Sequence, residues 1–260
     1  MSEQLVTVDV DGPIGTITVR RPKALNALNR DVVAGLQAAV ARLSADPSVR
    51  VILLQGEGER AFVAGADIAE FVGASPADAL AIAARIRIVT EALVAAPKPV
   101  VAVVGGFCLG GGFELALACD IRIASTTARF GLPEIKLGIL PGGGGTVRLT
   151  KIAGSSVARM LTMTGDPIDA ERAYALGLVA SVHPPEELAA AAAALAAKLA
   201  ALPPFALAQL KSSLNIAVDT ASAAACDAEI KAFALCYSTA DQTEGAAAFL
   251  EKRRPGFTGR

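Results

Sequence analysis

The run Pro99 to Phe113 carries no charge, and its first part, Pro99 to Val104, is unbroken apolar sequence ending in Gly105-Gly106. A strand with no polar face has to be covered on both sides, as strands of a parallel sheet are. The glycines lead into a short helix expected to begin near Gly110, so buried strand and helix follow one another within a few residues. This is the longest uncharged stretch in the chain. Glycine interrupts it, and it falls short of the roughly 18 to 20 residues that a membrane span needs. A soluble α/β body is therefore expected.

The neighbouring sequence has the same alternating character. Val6 to Val10 and Ile14 to Val19 have the period-two pattern of strands and are joined by a turn at Asp11-Gly12-Pro13. Asn29 is placed to cap a helix with apolar residues at Val33, Leu36, Val40 and Leu43. A strand is predicted over Val49 to Leu54, followed by a glycine-containing loop over 56–67. Ser75-Pro76 opens a longer helix with Ala79, Ile82, Ala83, Ile86, Val89 and Leu93 on one face. Ile121 to Ala124 forms another strand. From about Ser155 the pattern is helical almost throughout, with breaks at Thr164 to Pro167 and Ala201 to Pro204.

Composition excludes several classes of function. The chain has 260 residues, 53% hydrophobic and 19% charged, which is globular rather than disordered, although alanine around 189–201 inflates its hydropathy. With a net charge of −1 and no long basic run, it has no electrostatic footprint for nucleic acid. Neither a signal peptide nor an Arg-rich transit peptide is visible at the start. Cys108, Cys119, Cys226 and Cys236 form no metal-binding or disulfide pattern, and reduced, buried thiols in a cytoplasmic protein are expected. The single histidine, His183, precedes Pro184-Pro185 and is read as an exposed loop residue. A Ser-His-Asp hydrolase or a histidine metal site would have to depend on it alone. Any catalysis must then use carboxylates, backbone dipoles, hydroxyls or thiols.

Two glycine clusters and two glutamates suggest such chemistry. Gly105 to Gly110 fits neither GxGxxG nor GxxxxGK[ST], and Gly142 to Gly145 has no lysine partner, so direct phosphate binding is disfavoured. Gly110-Gly111-Gly112 instead opens a helix whose first N–H groups have no internal acceptor. Without Cβ atoms there, a ligand carbonyl can come within hydrogen-bonding distance, as in an oxyanion hole. Glu114 interrupts the otherwise apolar helix Phe113 to Cys119, where an unpaired carboxylate is expensive to bury. Glu134, after Pro133, supplies a second acid. Each alone also fits a helix cap or a surface charge; together they suggest acid–base work.

The segments Ala64-Gly65-Ala66-Asp67-Ile68, Lys98 to Ala102, Gly110 to Glu114, Cys119-Asp120, Phe130 to Glu134 and Pro141 to Gly145 resemble the crotonase superfamily in order and spacing. Similarity continues through Leu161 to Gly165 and Ala175 to Val179 to Phe249 to Arg253, and so covers essentially the whole chain. The resemblance implies a spiral of ββα units over residues 1–200. It also implies a C-terminal helical region, 201–260, that packs trimers or dimers of trimers and closes the CoA site. It puts the oxyanion hole on the N–H groups of Ala66 and Gly111 and the catalytic acids of the hydratase branch on Glu114 and Glu134. The CoA-binding set falls on Lys23, Ala24, Leu25, Ala64, Gly65, Asp67, Ile68 and Lys252. Ala69 stands where some members have lysine, and Leu132 where some hydratases have glutamine. The activity implied is hydration of a trans-2-enoyl-CoA in fatty-acid or related acyl-CoA degradation, with no metal and no cofactor beyond the CoA of the substrate. Enoyl-CoA isomerisation is the neighbouring alternative. A non-catalytic RNA-binding or assembly role would favour a lysine-rich surface helix, and none is visible.

Overall fold

A computed structural model describes residues 4–260. β1 (Val6–Asp11) and β2 (Ile14–Val19) form an antiparallel hairpin, with Gly12 at φ 53° in the turn. α1 (Arg30–Ala45) follows, and Asn29 Oδ1 accepts from Val32 N at 2.9 Å as its N-cap. The chain then makes repeated turns of two strands and a helix. β3 (Val51–Gly56), β4 (Ala61–Val63) and α2 (Pro76–Ala95) form one turn; β5 (Val100–Val104), β6 (Phe107–Leu109) and α3 (Gly111–Ala118) form the next. β7 (Ile121–Ser125), β8 (Arg129–Gly131) and α4 (Gly145–Thr164) complete a third, with α4 broken at Gly154, φ 82°.

In each turn the two strands enter different sheets. One sheet has the order β1-β2-β3-β5-β7-β10, where β10 is Ser181–His183; the other has the order β4-β6-β8-β9, where β9 is Ile168–Asp169. The pairs β2–β3, β3–β5, β5–β7 and β7–β10 are all parallel, with Ile52 opposite Val100 and Val101 opposite Ile121. This is the expected ββα spiral.

Every residue of β5 is buried, because the larger sheet is covered on both faces. Ile52, Leu54, Val100, Ala102 and Val104 enter the main core with Leu36, Val40 and Leu93. Val51, Leu53, Val101, Val103 and Ile123 face the opposite way, against Leu188, Ala192, Ala196 and Ala200 of α6 (Pro185–Ala200). The alanines recur at helical spacing, so the α6 backbone can lie close to the sheet. No single helix among the described residues is long and apolar enough to cross a membrane.

After α6 the chain breaks at Ala201 to Pro203 and continues as α7 (Pro204–Asp219), α8 (Ser222–Cys236) and α9 (Ala240–Leu250). Lys211 fastens α7 to the body. Its buried Nζ lies 2.8 Å from Asp120 Oδ2 and donates to the carbonyls of Leu93 at 2.9 Å and Lys98 at 3.2 Å.

Several expectations need correction. His183 is a strand residue, paired with Ser125 and half-buried, with Nε2 2.8 Å from Ser181 Oγ. Pro184 and Pro185 start α6 and so leave the preceding residues free to extend β7's edge. The region after 155 is not helical throughout: β9, β10 and α5 (Ala170–Ala175) intervene. β3 starts at Val51 rather than Val49, whose N–H closes a turn onto Asp46 O at 3.2 Å. All four cysteines are free, but only Cys108 and Cys119 are buried; Cys226 is exposed and Cys236 half-buried, on a helix that no other part of this chain fully covers.

Candidate active site

α3 carries the centre of the site. Gly110, at φ 51° and ψ −125°, turns the chain from β6 into the helix, a conformation that L side chains rarely adopt. Gly111 is the first helical residue. Neither its N–H nor that of Ala66 meets an acceptor among the described residues. A Cβ built on Gly111 would lie 3.8 Å from Ala66 N. Two unshared donors therefore lie beside one another at a helix N-terminus, where the dipole favours negative charge.

A backbone ladder holds Ala66 there. Ala64 N donates to Leu25 O at 3.1 Å, Leu28 N to Gly65 O at 2.8 Å and Asp67 N to Leu28 O at 2.8 Å. Ala66 lies within this parallel bridge, yet its own N–H is not used by it. The segment 21–28 can pair in this way because Leu25 (φ 51°) and Asn26 (φ 58°) are both left-handed. The fully buried Asn26 compensates: its Nδ2 donates to Ala61 O at 2.8 Å and its Oδ1 accepts from Arg21 N at 2.9 Å.

Glu114, only 2% exposed, projects from the first turn of α3. Its carboxylate is paired. Its Oε1 accepts from Gly143 N and Gly145 N, each at 2.8 Å. The glycine run thus cradles a carboxylate. A Cβ on Gly143 would lie 2.6 Å from Glu114 Oε2, and one on Gly145 would lie 3.0 Å from Oε1. Burial pushes the Glu114 carboxyl up from its ordinary value, opposed by the Gly145 and Gly143 hydrogen bonds and by the positive charge of Arg148.

Glu134 lies in a 3₁₀ turn, Pro133–Leu137. A Cβ on Gly110 would lie 3.0 Å from Glu134 Oε1, so the acid packs against the backbone that opens α3. Its Oε2 is buried without a hydrogen-bond partner. Burial, with the charge of Glu114 adding to it, pushes Glu134 up to about 7, although its own N–H acts the other way. One acid is therefore held by fixed donors, and the other has a free oxygen and a proton to exchange near neutrality. Leu132 is fully buried and would meet a Cβ on Gly145 at 3.1 Å, so an apolar residue fills the core behind the cradle.

The remaining expected residues divide. Lys23 and Ala24 are exposed, and Leu25 and Ala64 are half-buried. Gly65 is buried and Ile68 is exposed. Leu25, Ala64 and Gly65 lie on the ladder that holds Ala66, and Lys23, Ala24 and Ile68 flank it in sequence. Asp67 is engaged within the fold: Oδ2 lies 3.0 Å from Arg21 Nη2, and Oδ1 accepts from Ala69 N at 3.3 Å. Lys252 stands apart, exposed just past α9 with φ 56°, and its N–H donates to Phe249 O at 3.3 Å. The sequence reading missed Gly143 and Gly145 as donors, and with them Thr90 and Arg148. The signal available was Pro141 followed by four glycines and a helix: an N-terminus able to receive an acid.

The whole chain has relatives of the same shape. Residues 9–260 match the enoyl-CoA hydratase/isomerase family. A crotonyl-CoA hydratase from Syntrophomonas wolfei is 40% identical over 257 residues, covering 99% of each chain. A short-chain-enoyl-CoA hydratase from Clostridium acetobutylicum is 40% identical over 256 residues, covering 98% of each. The crystal structure of an enoyl-CoA hydratase from Bacillus anthracis superposes with a TM-score of 0.95 at 35% identity, covering 99% of this chain and 100% of that one. With a donor pair, one buried acid and one half-buried acid on the matching fold, the chain belongs to the enoyl-CoA hydratase/isomerase family.

Proposed function

We propose that this protein is an enoyl-CoA hydratase that adds water across the 2,3 double bond of a trans-2-enoyl-CoA to give the 3-hydroxyacyl-CoA. The observation that carries this reading is the unequal pair of acids at one helix start. Glu114 is clamped by two N–H donors, while Glu134 keeps a buried oxygen without a partner.

The thioester carbonyl accepts from Ala66 N and Gly111 N. Negative charge that develops on this oxygen when C3 is attacked is stabilised there by donors already in position. Glu114, whose carboxylate form Gly143, Gly145 and Arg148 favour against the effect of burial, takes a proton from water as its oxygen bonds to C3. The electron pair of the double bond moves toward the thioester and gives an enolate. Glu134, protonated over part of the neutral range, gives its proton to C2. The cycle closes when the proton on Glu114 leaves to solvent and Glu134 takes one up. No step requires a metal or a redox cofactor.

The activity is expected to act on acyl-CoA thioesters of fatty-acid or related degradation. The names of the relatives, crotonyl-CoA and short-chain-enoyl-CoA hydratase, support short acyl chains. Lys23, Ala24, Leu25 and the Ala64–Ile68 ladder are assigned to CoA. Lys252 is assigned to the closure of that site by the C-terminal region, 201–260, over the core, 1–200.

A trimer-based homo-oligomer is part of the same reading. Leu210, Leu214 and Val218 form a stripe along α7, each more than half exposed, and Ile230 and Phe233 on α8 and Phe249 on α9 are more exposed still. Apolar surface on this scale suits a subunit contact. Four free cysteines suit a reducing, cytoplasmic setting. The test is loss of enoyl-thioester absorbance with crotonyl-CoA, with the product identified as the 3-hydroxy thioester. A 3-enoyl product in its place would support isomerisation instead.

A further inference from the structure

Glu114 depends on a loop with little rigidity of its own. Gly142 and Gly143 are glycines for reasons of space, and Gly144 for its conformation. A Cβ would lie 2.9 Å from Ala83 Cβ at Gly142, 2.5 Å from Ile86 Cγ2 at Gly143 and 2.2 Å from Arg148 Nη1 at Gly144. Gly144 also requires φ 102°. Four consecutive glycines carry the largest backbone entropy a segment of this length can have, yet Gly143 and Gly145 must hold their N–H groups on one carboxylate oxygen. Something outside the loop has to fix it.

Two side chains reach the same carbonyl. Thr90 Oγ1 donates to Gly143 O at 3.0 Å, and Arg148 Nη1 donates to it at 2.9 Å. A carbonyl oxygen has two lone pairs, and these two donors fill them. Thr90 is fully buried on α2, among Ile86, Val89 and Leu93 on a face that is otherwise apolar. Its hydroxyl also lies 3.0 Å from Arg87 O one turn back, the ordinary resting place for a threonine within a helix. A hydroxyl has one proton, so the two carbonyls share it, and the Arg87 contact explains how the hydroxyl is tolerated in the core. It does not explain why the hydroxyl also meets a loop carbonyl from a different turn of the spiral.

We propose that Thr90 and Arg148 are positioning residues for the hydration reaction, together pinning the Gly143 carbonyl so that the Gly143 and Gly145 N–H groups stay aimed at Glu114. The proposal rests on the assignment of Glu114 as base. Thr90 acts only through the loop. Arg148 acts through the loop and also by its charge, which favours the ionised carboxyl.

The two contributions predict different results. Thr90→Val removes the hydroxyl and keeps the shape, so the loop loosens and one or both hydrogen bonds to Glu114 weaken. Because these bonds favour the carboxylate, the acid limb of the kcat profile moves to higher pH. kcat for crotonyl-CoA falls about five- to tenfold, the scale of one hydrogen bond, with KM unchanged. Thr90→Ser restores the donor and recovers both kcat and the limb. Arg148→Met moves the limb in the same direction and further than Thr90→Val does. If Thr90→Val does not fold, Thr90→Ser and Arg148→Met carry the test through the same two readouts.

Wild-type kcat and an unmoved acid limb in folded Thr90→Val or Arg148→Met, in an enzyme that Glu114→Gln disables, would overturn the positioning role and leave the hydratase reading intact. A fall in kcat with the limb unmoved would also overturn it, since that is what a general packing defect produces. Activity retained by Glu114→Gln would remove the base itself, and both readings would fall together.

Discussion

The N–H of Gly145, the first residue of α4, donates to Glu114 Oε1 at 2.8 Å, so one helix start holds the acid that projects from another. The positive end of α4 and the N–H of Gly143 converge on one oxygen. Glu134 Oε2 has no comparable partner. On this inequality rests the proposal of different tasks for the two carboxyls.

Removing either acid is expected to lower kcat by about 10² or more, the scale of acid–base assistance, and to leave CoA-ester binding largely intact. Glu114→Gln and Glu134→Gln are near-isosteric, so KM or a directly measured Kd separates binding from chemistry. Near wild-type turnover by either variant would remove that residue from the mechanism.

The pH dependence follows from the direction of the shifts. Glu134 must be protonated to act as the acid, so kcat should decline as pH rises through about 7. Glu114 must be ionised, so kcat should also decline on the acid side. Stability has its own sign. Glu134 is pushed from 4.5 to about 7, so between these values the folded protein binds more protons than the unfolded chain, and stability falls as pH rises. Glu134→Gln has no charge to desolvate. We expect its Tm, relative to that of the parent, to climb between pH 4.5 and 7 even as activity is lost. A Tm difference that does not change with pH would contradict this.

Gly111→Val tests the donor pair. The variant keeps its N–H but places branched carbons where a Cβ lies 3.8 Å from Ala66 N and 3.1 Å from Leu28 Cδ1. A thioester oxygen could no longer reach both donors. A loss of about 10² to 10³ in hydration is expected, on the scale of a missing oxyanion donor, together with weak acyl-CoA binding by a folded protein. Normal hydration by folded Gly111→Val would move the thioester away from this helix start.

The spiral was legible in the sequence wherever burial leaves a pattern. Val100 to Val104 reads as a strand covered twice, and Ser75-Pro76 reads as a helix start, to which the structure adds a capping box with Asp78. Glu114 stood out as a charge in an apolar helix. Its partners did not, because Gly143 and Gly145 act through N–H groups that every residue except proline has, and only the fold brings them to α3. Thr90 was hidden for a related reason: it sits on the buried face of α2 between positions read for their hydrocarbon. β10 was missed because three residues on a sheet edge leave too little alternation to be seen, and the prolines after His183 suggested a loop.

Assembly can be tested through α7. Leu214 is 59% exposed at the centre of the stripe with Leu210 and Val218, one turn from Lys211, which holds the helix to the body. Sedimentation should give a multiple of three chains for the parent. Leu214→Glu should dissociate it toward smaller species, with Tm showing that the subunit itself stays folded. A monomeric parent at micromolar concentration would contradict this reading.

The most direct test of the chemistry is the rate at which crotonyl-CoA loses its enoyl-thioester absorbance with the parent, Glu114→Gln and Glu134→Gln at neutral pH, with the product identified. We expect the parent to form 3-hydroxybutyryl-CoA, and each variant to bind the substrate but turn it over about 10² times more slowly or less. No hydration by the folded parent, or undiminished hydration by either variant, would contradict the two-carboxyl mechanism.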